Sequence, residues 1–138
     1  GFDFCTLVLA RSREELYRRI DERVDSMFSS GLSKEFNSLV QAGYTSSSPG
    51  MAAIGYRELF SAFPNGIPFL PGGTLAAQDS LKLEKVKDEI KKNSRHYAKK
   101  QYTIMKDIPG AAFCPLDSGK DSSVTVLQKI SDFMKLNT

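Results

Sequence analysis

Only two short segments of this chain have the pattern of a strand covered on both faces, and they stand near its opposite ends. Phe4-Cys5-Thr6-Leu7-Val8-Leu9 is a nearly continuous apolar run, and Ala111 to Leu116 is the other. Such runs suit a parallel sheet packed on both sides. Two short strands cannot form a stable sheet of that kind alone. The pattern therefore predicts further strands from outside this sequence, and the chain reads as a fragment.

The remaining sequence is helical, with clear punctuation. Ser12 and Glu15 have the spacing of a capping box, opening a helix that should run to about Ser30 and stop at Gly31. Ser33 can cap a second helix that ends before Gly43. Thr45-Ser46-Ser47-Ser48-Pro49 is a loop, and Gly50 to Phe63 reads as a third helix. Pro64, Asn65, Gly66, Pro68, Pro71, Gly72 and Gly73 make a turn-rich connection. Thr74 then caps a long helix reaching roughly Asp107, and Pro109-Gly110 ends it. Ser122 to Leu136 is a final amphipathic helix. The fold class expected is mainly α with two short strands.

With 138 residues, 41% of them hydrophobic and 25% charged, the chain has material for one core. Its longest apolar run, Phe4 to Ala10, is far short of the ~20 residues that span a bilayer. No basic stretch leads into an apolar signal core, so no membrane association and a cytoplasmic location are expected. Cys5 and Cys114 each sit inside an apolar run, which predicts two buried free thiols in preference to a disulfide. One His and two Cys cannot build a metal-binding cluster.

Charge is unevenly spread. Between Lys82 and Lys106 there are nine basic residues against three acids, Glu84, Asp88 and Glu89, a local net of +6. The whole chain nets +3, so the rest sums to minus three. A basic helix with His96, Tyr97 and Tyr102 set into it suits a polyanion such as RNA, although a solvated charged face is the common fate of Lys-rich helices. Arg95 and Lys99 lie one turn apart on it, as do Tyr97 and Gln101.

On the first helix, at about 100° per residue, Leu16, Ile20, Val24, Met27 and Phe28 form a core-facing stripe. Arg23 falls at the edge of that stripe. It either snorkels past the core, pairs with a protein carboxylate, or clamps a phosphate. Asp21, Glu22 and Asp25 fall on the opposite side and read as a solvated face. On the third helix, Gly55 predicts a close approach by another element or a ligand, because glycine inside a helix costs about 1 kcal/mol relative to alanine. Two glycine-containing segments fail as phosphate-binding loops. Ser118-Gly119-Lys120 lacks the earlier glycine, Cys114 standing in its place, and is followed by Asp121; Gly72-Gly73-Thr74 has no lysine.

Three segments in fixed order nevertheless carry a resemblance. They are Arg13-Glu14-Glu15-Leu16-Tyr17 running into Arg19-Ile20-Asp21-Glu22-Arg23-Val24, with Met27 and Gly31-Leu32; Met51 through Leu59 around Ile54-Gly55-Tyr56; and Arg95-x-Tyr97-Ala98-Lys99-Lys100-Gln101-x-Thr103. Together they resemble the C-terminal part of the tRNA dimethylallyltransferase (isopentenyltransferase) family, from roughly Phe4 to Leu116. The resemblance implies transfer of a dimethylallyl group from dimethylallyl diphosphate to N6 of the adenosine 3′ of the tRNA anticodon. It implies that the whole chain, residues 1–138, is the C-terminal portion of a P-loop-type α/β three-layer fold whose N-terminal half is missing. That half would carry the phosphate-binding loop, the Mg²⁺ contacts and the general base, so this segment alone is expected to be inactive. Arg23 is implied to contact the diphosphate, with Tyr56 and Arg57 in the same substrate region. Arg95, Lys99, Lys100 and Gln101 are implied to line the RNA side, where the target base is flipped from its stack. Two positions depart from the family pattern: Lys100 replaces an arginine and loses its bidentate fork, and Ile104 replaces an aromatic residue. The competing reading is a non-catalytic helical RNA-binding or interaction module that keeps only the basic helix.

Overall fold

A computed structural model describes residues 4–116 and 122–136. The elements are β1 (Leu7–Ala10), α1 (Arg13–Ser29), α2 (Leu32–Gln41), α3 (Tyr56–Ala62), α4 (Ala77–Lys106), β2 (Ala112–Pro115) and α5 (Ser122–Leu136). The expectation of a mainly helical chain with two short strands is met. Two compact units are present, one of residues 19–97 and one of residues 1–18 with 98–138.

In the unit of residues 19–97, Val24 of α1, Leu32 and Phe36 of α2, Leu59 and Phe60 of α3, and Val86 and Ile90 of α4 form one core. The rings of Phe36 and Phe60 meet edge to face with centroids 4.8 Å apart. At roughly 1.5–3 kcal/mol for each large side chain removed from water, this cluster is what holds the four helices together. Of the α1 stripe, Val24 is buried and Met27 and Phe28 pack against the core, whereas Ile20 is only partly buried and outside that cluster and Leu16 belongs to the other unit.

Three helix boundaries differ from the sequence reading. Gly31, at φ 109°, is both the stop of α1 and the N-cap of α2, so Ser33 lies inside α2 and does not cap it. The run from Gly50 to Gly55 is a series of turns, because Gly50 and Gly55 have φ of 83° and 108°. Helix α3 therefore starts only at Tyr56, and Gly55 is its N-cap, not an interior residue. A Cβ at Gly55 would meet nothing within 4 Å. Its backbone angle, not a close approach, requires glycine. Helix α4 begins at Ala77, because Thr74 is used in a turn, where its carbonyl accepts the Leu70 N–H at 2.8 Å. The turn-rich connection is pinned by Asn37 of α2, whose Nδ2 donates to the Ile67 carbonyl at 2.8 Å and whose Oδ1 accepts the Ile67 N–H at 2.7 Å.

In the other unit, β1 and β2 pair in parallel, with Leu7 opposite Ala112 through Ala10 opposite Pro115. Helix α5 packs beside β2, and Tyr102 near the end of α4 meets Phe113 edge to face at 5.9 Å. Ser12 Oγ accepts the Glu15 N–H at 3.3 Å, which is the cap expected for α1. Val8 and Cys114 are buried, but Leu9 is 57% exposed. The register pairs Val8 with Phe113 and Leu9 with Cys114, so the two buried side chains lie on opposite faces and each face is covered only in part within this chain. Cys5 is exposed, against expectation, because pairing starts at Leu7 and leaves it ahead of the sheet; Cys114 is buried, and both thiols are free. Ser118-Gly119-Lys120 lies outside the described residues. No helix among the described residues is long and apolar enough to cross a membrane.

Candidate functional site

The basic helix does not present all its charge to solvent. Lys87 Nζ and Lys91 Nζ lie 3.1 and 2.8 Å from Asp25 Oδ1, and Arg95 Nη1 lies 2.5 Å from Asp21 Oδ1. Positions 87, 91 and 95 are successive turns of α4, and 21 and 25 are successive turns of α1, so the ladder follows from matched helical repeats. Asp21 and Asp25 are thus not merely a solvated face; they tie α1 to α4. Hydrogen bonds from Lys91 and then Lys87 hold the Asp25 carboxyl below its ordinary pKa. Lys92 pairs within its own helix with Glu89 at 3.5 Å.

The cations beyond this ladder are differently placed. Lys99, Lys100 and Gln101 are exposed. Lys99 lines a cleft of about 430 Å³ together with Arg11, Arg13, Tyr17, Tyr102 and Lys106. Arg11 Nη1 donates to the Leu116 carbonyl at 3.1 Å, linking the ends of the two strands. The Arg13 guanidinium sits 5.1 Å from the Tyr17 ring centroid, and Lys106 Nζ sits 4.7 Å from that of Tyr102. No local motif announces this cleft, because its walls come from opposite ends of the sequence.

Arg23 is exposed, and nothing pairs with it among the described residues. Of the alternatives open from spacing, pairing with a carboxylate is therefore not the one adopted in this chain. Tyr56 donates from its hydroxyl to Glu35 Oε1. That bond, reinforced by burial, pushes the Tyr56 phenol up to about 12. Arg57 Nη2 donates to Glu58 Oε1 at 2.6 Å. Glu58, 7% exposed, is a hub that sequence reasoning missed: Asn93 Nδ2 donates to Oε1 at 2.8 Å and the Gly55 N–H donates to Oε2 at 2.7 Å. Burial raises its carboxyl pKa, but the bonds from Gly55, Arg57 and Asn93 outweigh that and leave it lowered. The available signal was an acid three residues after a glycine N-cap, half of a capping box.

Among the described residues no three His, Cys, Asp or Glu side chains come together as a metal site.

The chain resembles known proteins along most of its length. A family model described as IPP transferase matches residues 1–107. A tRNA dimethylallyltransferase of Geobacter sulfurreducens is 31% identical over 93% of this chain and 37% of its own length, and one from Staphylococcus carnosus is 39% identical over 78% and 29%. The crystal structure of a full-length tRNA isopentenylpyrophosphate transferase from Bacillus halodurans superposes with a TM-score of 0.72 at 27% identity, over 96% of this chain and 41% of that one. The chain thus spans well under half the length of these relatives. The family match takes in Arg23, the Gly55-Tyr56-Arg57 segment and the Arg95 to Gln101 segment together, and the chain belongs to the IPP transferase family.

Proposed function

We propose that this chain is the C-terminal portion of an enzyme that transfers a dimethylallyl group to tRNA. The donor is dimethylallyl diphosphate and the acceptor is N6 of the adenosine 3′ of the anticodon. N6 attacks C1 of the dimethylallyl group, the C1–O bond breaks, pyrophosphate leaves, and N6 loses a proton to a base outside this segment. An N-terminal P-loop half would complete the three-layer α/β fold, and the place of action is the cytoplasm. The match across residues 1–107 carries this reading.

Within this chain, Arg23 takes the role of meeting the diphosphate. Its planar guanidinium is exposed and unpaired among the described residues, so no internal carboxylate competes for it. Charge accumulates on the departing pyrophosphate, and a positioned cation stabilises it as it forms. Tyr56 and Arg57, held by Glu35 and Glu58, suit a positioning role in the same region. Lys99, Lys100 and Gln101, with Arg95 fixed by Asp21, take the RNA side.

The test uses the full-length protein that carries this chain, with unmodified tRNA and dimethylallyl diphosphate. Nuclease digestion and mass spectrometry should find one dimethylallyl group on the adenosine 3′ of the anticodon. A folded full-length protein that binds tRNA and leaves it unmodified would overturn the transferase and leave the RNA-binding module.

A further inference from the structure

Four cations gather at one end of the unit built from residues 1–18 and 98–138. Arg11 and Arg13 follow β1, Lys99 and Lys106 come from the last turns of α4, and together they line one cleft of about 430 Å³. No carboxylate lines it. None of the four pairs with one among the described residues, whereas Lys87, Lys91 and Arg95 on the same helix all do. Uncompensated like charges repel, so such a group is stable beside an anion.

Three observations narrow that anion. First, the cleft lies off the carboxyl ends of both parallel strands: Ala10 ends β1, Pro115 ends β2, and Arg11 donates to Leu116 just beyond. That is where open α/β sheets bind ligands. Second, two of the four cations are guanidinium groups, whose planar forks match phosphate oxygens. Third, the cations are braced by aromatic rings. Arg13 lies over Tyr17 and Lys106 over Tyr102, whose ring also meets Phe113. These contacts hold the cations in place. One phosphodiester brings a single negative charge, so four cations match a run of consecutive phosphates.

We propose that the cleft of Arg11, Arg13, Lys99 and Lys106 clamps the phosphodiester backbone of an RNA strand, reading charge and not sequence. This deepens the proposed function and rests on it. It adds Arg11, Arg13 and Lys106 to Lys99 as contacts to the backbone.

The test measures affinity of the full-length protein that carries this chain for a fluorescent stem–loop RNA over a range of salt concentrations. Arg13→Ala and Lys106→Ala alter exposed side chains and leave Arg11, which bonds Leu116, intact. Each should weaken binding several-fold and flatten the plot of log affinity against log salt by about 0.7, one phosphate contact on a single strand. Lys34→Ala, an exposed lysine on α2, should change neither. A second arm offers inorganic pyrophosphate as competitor: weak, salt-sensitive competition equal to that of chloride at matched ionic strength is expected. Wild-type binding that the two variants leave unchanged would overturn the clamp while sparing the proposed function. Stoichiometric displacement of RNA by pyrophosphate would reassign the cleft to a small diphosphate and overturn it too. A folded full-length wild-type protein that binds no RNA at any salt would overturn both.

Discussion

Glu58 is almost out of water and still carries charge. It can do so because two backbone or amide donors and one guanidinium converge on its two oxygens. Replacing it by alanine leaves the Gly55 N–H and the Asn93 amide without their acceptor, at about 1–3 kcal/mol for each buried unsatisfied group. Glu58→Ala should therefore lower unfolding free energy by about 3 kcal/mol in denaturant titration, and a loss below 0.5 kcal/mol, roughly the scale of a neutral surface change, would contradict the hub. The sign of its pH dependence follows from a lowered carboxyl pKa. Its contribution is present above the unfolded glutamate value and lost as pH falls through the folded one, so wild-type stability should drop on acidification more than that of Glu58→Gln. Tyr56 behaves oppositely. With its phenol pushed up to about 12 by Glu35, its contribution holds below the unfolded value of about 10 and is lost as pH rises between the two. The ultraviolet difference between wild type and Tyr56→Phe should titrate near 12, and in Glu35→Gln near 10. A wild-type midpoint near 10 would contradict the bond.

Among the elements, α4 is two things in one helix. Its middle is neutralised by Asp21 and Asp25, and its last turns carry Lys99, Lys100 and Lys106 without carboxylate partners among the described residues. Charge counting along the sequence gives the +6 but cannot make this division, because the acids that neutralise the middle belong to α1, far away in the chain. Lys91→Ala should lower the melting temperature and leave RNA affinity unchanged, since its charge is committed to Asp25. A marked loss of RNA affinity would restore the whole helix as the contact surface. The existence of α1, α2, α4 and α5 was legible, from caps and stop signals for the first three and from amphipathic pattern for α5. The start of α3 was not. Met51 to Ile54 has helical composition, but Gly50 and Gly55 sit at positive φ, and a pattern of residue types does not show which glycines take that conformation. The core it joins is more predictable: Ile90, 1% exposed, should cost 2–5 kcal/mol on truncation to alanine.

For the molecule as a whole, the two apolar runs at opposite ends did announce two strands suited to a parallel sheet, but not that they pair with each other. Their register, Leu7 against Ala112, was beyond what apolarity alone encodes, and with it went the cleft of Arg11, Arg13, Lys99 and Lys106. Arg23 shows the opposite case. Helical spacing put it at the edge of a core, whereas it is exposed; its proposed role comes from the family motif and not from burial. If Arg23 stabilises leaving pyrophosphate, removing it should slow the chemical step and spare RNA binding. The most direct measurement is therefore turnover and tRNA affinity of the full-length protein with Arg23→Ala. The account predicts a loss of turnover on the order of 10²–10³ with tRNA affinity within twofold or so of wild type. Unchanged turnover would contradict it.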